Sequence, residues 1–160
     1  MSAVTDASAK GFIHATAVVI GECGVLIRGA SGAGKSALAG ALIAQAAASG
    51  RFARLVGDDR VSVSAAGSAP VVRPHPAIAG TIEQRGEGIL AAPYETAAAV
   101  AAVIDLCDAK TERFPEDDDQ FAELSGHRLP RLALQGGGSG PELVGRVFFF
   151  LDRRVRQCRS

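Results

Sequence analysis

The chain has 160 residues, with 17 basic and 17 acidic side chains, three cysteines and a hydrophobic fraction of 48%. One domain of this size buries a substantial core, and the zero net charge gives no general attraction to nucleic acid or to a membrane surface. Cys23, Cys107 and Cys158 form no C-x-x-C pair, so no disulfide framework and no structural zinc site are expected, in keeping with a reducing, cytoplasmic setting.

Residues 1–11 read as a loose lead-in without the basic and apolar segments of a signal peptide. Thr16–Ile20 and Val25–Arg28 are β-rich runs joined by Gly21-Glu22-Cys23-Gly24, which predicts a hairpin. The second run leads directly into Gly29-Ala30-Ser31-Gly32-Ala33-Gly34-Lys35-Ser36, which fits the pattern G-x-x-x-x-G-K-[S/T] at every required position. Ser36–Ala44 then reads as a helix with Leu38, Leu42 and Ile43 on one face. A strand that delivers a glycine-rich loop to a helix N-terminus turns backbone N–H groups and the helix dipole toward an anion. The pattern therefore assigns Lys35 to the β- and γ-phosphates of a nucleotide and the Ser36 hydroxyl to Mg²⁺.

Beyond the helix, Gly50 is the expected C-cap. Arg54–Gly57 and Arg60–Val63 are short strands on either side of Asp58-Asp59, Ala66-Gly67-Ser68 is a turn, and Val71–Arg73 is a strand broken by Pro74-His75-Pro76. Gly80–Leu90 combines a short strand with glycines in the manner of an active-site loop. Ala97–Leu106 has a β-branched end that favours a buried strand, and it is too short to span a bilayer. Glu112–Asp119 is polar and ends in the acidic run Glu116–Asp119; Gly136–Gly140 is flexible in composition. Val147–Leu151 is a last apolar strand or short helix, and residues 152–160 form a basic tail. The sum predicts an α/β fold: a single P-loop domain over residues 1–160 with a mixed, partly antiparallel central sheet.

Phosphoryl transfer also needs a metal-binding carboxylate, a proton acceptor and positive charge on the moving group. Asp58 and Asp59 end a short apolar strand downstream of the loop; on extended backbone they point to opposite faces, so only one faces the nucleotide squarely. Asp105, at the end of Ala101–Ile104, is a competing carboxylate. Glu83, Arg85 and Arg113 lie in Gly-flanked or polar segments, free to converge on a ligand. Taken alone, His14 reads as a surface or packed residue.

In four landmarks the chain resembles the catalytic domain of the HPr kinase/phosphorylase family, which phosphorylates a serine of the phosphocarrier protein HPr. These are His14, 15 residues before Gly29; Gly29–Ser36; Leu55-Val56-Gly57-Asp58-Asp59-Arg60-Val61; and Ile82-Glu83-Gln84-Arg85-Gly86-Glu87-Gly88-Ile89. The last block is similar to the family signature of Glu-Ile-Arg-Gly followed by a residue, Gly and Ile, with Gln84 at the apolar position. The resemblance, which runs from about Ile13 to Arg113, implies a short, single-domain form of an HPr kinase, carboxykinase-like in fold. It implies ATP and Mg²⁺ as cofactors, with Lys35 on the phosphates and Ser36 and Glu83 on the metal. One acid of the pair, with the family pattern favouring Asp59, takes the serine proton assisted by His14, and Arg113 stabilises the transferred group. Arg85, Gly86 and Gly88 belong to the signature. The implied partner is an HPr-type phosphocarrier, with neither nucleic acid nor membrane, and the implied assembly is a homo-oligomer, the family's hexamer. The family's second activity runs the chemistry backward, with inorganic phosphate attacking phosphoserine. The competing readings are a nucleotide-sensing P-loop protein without chemistry and a small-molecule or carboxykinase-like kinase.

Overall fold

Along strand β1 (Ala15–Ile20) every residue is buried, and the side chains alternate between two cores. Val18 and Ile20 join one apolar cluster, whereas Ala15, Ala17 and Val19 join the other. A strand with a period of two and no polar face must lie inside a sheet covered on both sides. The computed structural model describes residues 11–107, 120–135 and 140–155. Its sheet is mixed, in the strand order Ala53–Gly57, Ala15–Ile20, Cys23–Gly29, Ala98–Cys107, His127–Gln135, Phe121–Leu124.

Strand β2 (Cys23–Gly29) forms the expected antiparallel hairpin with β1, and β3 (Ala53–Gly57) flanks β1 antiparallel. Strand β4 (Val61–Ala66) pairs with β5 (Ala69–Pro74), and β5 meets the start of β8 (Ala98–Cys107). The long strand β8 runs parallel to both β2 and β10 (His127–Gln135), and β9 (Phe121–Leu124) closes against β10. A separate two-stranded hairpin, β6 (Thr81–Gln84) and β7 (Gly88–Ala91), occupies most of the segment expected as a loop with one short strand.

Helices α1 (Lys35–Ala48) and α2 (Pro141–Arg154) share one face of the sheet. Leu38, Leu42 and Ala46 of α1 recur every four residues and are fully buried, the two leucines in one cluster with Ile27, Leu55 and Ile104. Ile43, expected on the same face, is partly buried against this cluster. Ser49 is the C-cap of α1. Gly50 follows it at φ +77°, and its N–H and that of Arg51 bond to the carbonyls of Ala47 and Ala46, a Schellman closure that glycine accepts without strain.

The apolar run Val147–Leu151 is a helical interior rather than a strand. Pro141 starts α2, Glu142 lies in its first turn and Arg153-Arg154 in its last, each complementing the helix dipole. Val144, Val147, Phe150 and Leu151 face the core, while Phe148 lies under the Arg51 guanidinium and Phe149 is exposed. Three consecutive phenylalanines conceal the helical period because one of them faces solvent. Asp152 and Arg154, read as the start of the tail, instead fasten α2 to Arg51 and Gln120. Cys23 is disulfide-bonded, contrary to the expectation from cysteine spacing, and Cys107 is free. No helix among the described residues is long and apolar enough to cross a membrane. Arg113, the acidic run Glu116–Asp119 and the glycines 136–138 lie outside the described residues.

Candidate active site

The loop Gly29–Ser36 leaves the C-terminal end of β2 and enters α1 through Gly34, whose φ of +103° is left-handed backbone available mainly to glycine. Lys35 is only 7% exposed, and its ammonium lies 2.9 Å from the Gly29 carbonyl and 3.1 Å from that of Ala30. Ala33 turns inward and is buried against the helix-side core. Ser31, Gly32, Gly34, Lys35 and Ser36 line one wall of a cleft of about 780 Å³. Glu83, Gln84, Arg85, Gly86 and Gly88 of the β6–β7 hairpin and its turn also line the cleft, as does Asp59.

The two adjacent acids differ sharply. Asp58 is 5% exposed, and three donors converge on its carboxylate. The Ser36 hydroxyl donates to Oδ1 at 2.6 Å, the Thr16 hydroxyl to the same oxygen at 2.8 Å, and the Glu83 backbone N–H to Oδ2 at 3.0 Å. Asp59 has the opposite character. Its backbone turns into the left-handed region at φ +69°, which sends its side chain into the cleft. Its Oδ1 lies 3.5 Å from His14 Nδ1, with both side chains more than half exposed. The expected divergence of the pair is observed, produced by a tight turn rather than by extended backbone, with the Arg60 N–H closing on the Asp58 carbonyl at 2.7 Å.

Sequence reasoning missed two residues here. Thr16 is a fully buried hydroxyl in an otherwise apolar strand; it bonds Asp58 and also accepts from the Asp59 N–H at 3.3 Å. That lone polar side chain within Ala15–Ile20 was the available signal. Gln84 packs over Gly40 of α1, where a Cβ would lie 3.1 Å from its amide nitrogen, and donates to the Ser36 carbonyl at 3.2 Å. This bond ties the hairpin to the first turn of α1. Asp105 does not line the cleft. Arg28 grips it through two hydrogen bonds of 2.7 and 2.9 Å, and Arg131 adds a third of 2.5 Å. Burial acts to raise the Asp105 carboxyl, but hydrogen bonds and charge from Arg28 and Arg131 outweigh it and hold the group below the usual carboxylate range. The Arg28 guanidinium is raised in return, chiefly by its bond to Asp105.

The oxygen donors gathered at the cleft suit a small hard cation. The Ser36 hydroxyl, oriented by its bond to Asp58, and the Glu83 carboxylate supply a few protein oxygens, which is how Mg²⁺ is usually held, with phosphates and water completing its shell. Among the described residues no group of three or more His, Cys, Asp or Glu side chains forms a metal cage.

Comparison with known proteins bears on the fold and the family. Among solved structures, the HPr(Ser) kinase/phosphatase from Coxiella burnetii is similar with a TM-score of 0.69 and 26% identity, over 89% of this chain and 88% of that one. No curated protein matches the chain. Residues 6–114 match the profile of the HPr serine kinase C-terminal domain, more than half of the sequence, so the chain belongs to that family.

Proposed function

We propose that the chain is an ATP-dependent protein-serine kinase whose substrate is an HPr-type phosphocarrier. The observation that carries this reading is the division of labour between the two acids, one buried and bonded to Ser36, the other exposed in the cleft beside His14. A phosphotransfer site needs one carboxylate for the metal and another for the incoming hydroxyl.

The Gly29–Ser36 loop and the N-terminus of α1 bind the nucleotide phosphates, and Lys35 neutralises charge on the β- and γ-groups. Ser36 and Glu83 would hold Mg²⁺, with Asp58 orienting the Ser36 hydroxyl from behind, and the ion would supply charge neutralisation to the nucleotide phosphates. The substrate serine Oγ attacks the γ-phosphorus as the bond to the ADP oxygen breaks. Asp59 accepts the serine proton, because its carboxylate is open to the cleft whereas that of Asp58 is engaged by three donors. His14 steadies the Asp59 carboxylate. Arg85, on the hairpin wall, faces the transferred group with positive charge, and the resemblance gives Arg113 the same task. In the reverse direction, phosphate attacks phosphoserine and protonated Asp59 returns its proton to the departing serine oxygen.

The test is to incubate the purified chain with Mg²⁺-ATP and the HPr-type phosphocarrier of the same organism and to read intact mass. Gain of one acid-stable phosphoryl group on the carrier supports the kinase. ATP binding without any gain overturns the assignment of the carrier as substrate.

A further inference from the structure

We propose that Thr16 is a positioning residue that sets both acids of the Asp58-Asp59 pair, an inference that rests on reading this cleft as a phosphotransfer site. Thr16 has no solvent exposure, and its two hydroxyl interactions divide between the acids: it donates to Asp58 Oδ1 at 2.8 Å and accepts from the Asp59 N–H at 3.3 Å. A hydroxyl supplies one donor and two acceptor lone pairs, so a single side chain satisfies a carboxylate on one side and an amide on the other. Its place in the sheet explains why it is needed. The β1–β3 ladder shifts register between Ala17 and Val18, and Ala17 opposite Gly57 is its last pair. Beyond Gly57 the chain turns through left-handed Asp59, and backbone pairing resumes only at Val61, which exchanges two hydrogen bonds with Ile13. The Thr16 side chain holds the two acids in the gap between these backbone links. It thereby aims Asp58 at Ser36 and fixes the turn that presents Asp59 to the cleft.

Valine has the same shape as threonine and lacks the hydroxyl, while serine keeps the hydroxyl and loses the methyl. In the full chain, Thr16→Val is expected to lower kcat for phosphorylation of the carrier by roughly 10- to 100-fold, the cost typical of removing a group that orients a site ligand. Nucleotide affinity, read with a fluorescent ATP analogue, should change much less. Thr16→Ser should recover most of the lost kcat although it removes buried apolar surface, a pattern that loss of packing alone does not give. Amide hydrogen exchange supplies a second readout independent of activity: the Asp59 N–H should exchange faster in Thr16→Val and return toward the wild-type rate in Thr16→Ser. Thr16→Ala, which relieves any crowding beside the carboxylate, serves in place of the valine variant if that chain does not fold. Wild-type kcat in the valine or alanine variant, or a serine variant as impaired as either, overturns the proposal. A wild-type chain that transfers no phosphoryl group overturns the kinase reading instead. The positioning claim then stands or falls on Asp59 exchange, and an unchanged rate in Thr16→Val refutes it.

Discussion

The Ser36 hydroxyl donates a 2.6 Å hydrogen bond to Oδ1 of Asp58, joining the first turn of α1 to the end of β3 across 22 residues of sequence. The other oxygen of the same carboxylate takes the Glu83 N–H from the β6–β7 hairpin. One buried carboxylate thus holds together the three segments that build the cleft. Several donors on one anion form strong, charge-assisted bonds, which offset the cost of burying it.

Asp58→Asn keeps the size of the side chain but leaves one acceptor oxygen where two are used. Its amide NH₂ must then face a hydroxyl or the Glu83 N–H. Destabilisation of about 1–3 kcal/mol is expected from the donors left unpaired, together with weaker Mg²⁺-dependent nucleotide binding. Chemical denaturation and nucleotide titration at varied Mg²⁺ check both; a variant with wild-type stability would contradict the network described above.

Asp59→Asn has a different expected signature. The side chain is exposed and holds no core together, so stability and ATP affinity should stay near wild type. Transfer to the carrier should fall on the order of 10²- to 10⁴-fold, the usual range for loss of a general base. Single-turnover kinetics with saturating nucleotide measure this directly, and an active Asp59→Asn chain would remove Asp59 from the mechanism.

Lys35→Ala removes the ammonium that caps the loop at Gly29 and Ala30. Losing one charge-assisted contact to phosphate should weaken ATP binding by roughly 10- to 100-fold and bring transfer below detection. Calorimetric titration with ATP decides the matter, since unchanged affinity is incompatible with a phosphate-binding role for this lysine.

Acid should act on the fold through Asp105. The folded carboxyl is held low by Arg28 and Arg131, whereas in the unfolded chain it takes up its proton near pH 4. Its contribution to stability is therefore present above about pH 4 and is lost as pH falls through the lower folded value. Asp105→Asn should cost about 1–3 kcal/mol at pH 7, and the gap from wild type should narrow below about pH 4. Urea midpoints of both proteins across pH 3–7 would reveal that convergence; a gap independent of pH would mean that the ion pairs do not carry it.

Much of the site was legible because its signals are local. The glycines of Gly29–Ser36, the apolar strand before them and the i, i+4 leucines after them lie within one short window, where turn chemistry and helical period act directly on the backbone. The doublet at the end of Arg54–Gly57 was equally visible. The Val147–Leu151 run was ambiguous because continuous apolarity carries neither a period of two nor one of 3.6.

By itself the sequence determined the strand–loop–helix unit, the mixed α/β character and the short list of acids, all set by residues close together in the chain. Only the tertiary structure decided that Asp58 is the buried acid and Asp59 the open one, that Asp105 belongs to two arginines, and that Thr16 and Gln84 complete the site. The physical reason is register. Thr16, Ser36, Asp58 and Glu83 come from four elements about twenty residues apart, and which side chain meets which depends on how β1 pairs with β3 and how the hairpin seats on α1. A shift of one residue in such a ladder turns each side chain to the opposite face, so the partners of a polar group follow from strand alignment that no local window contains.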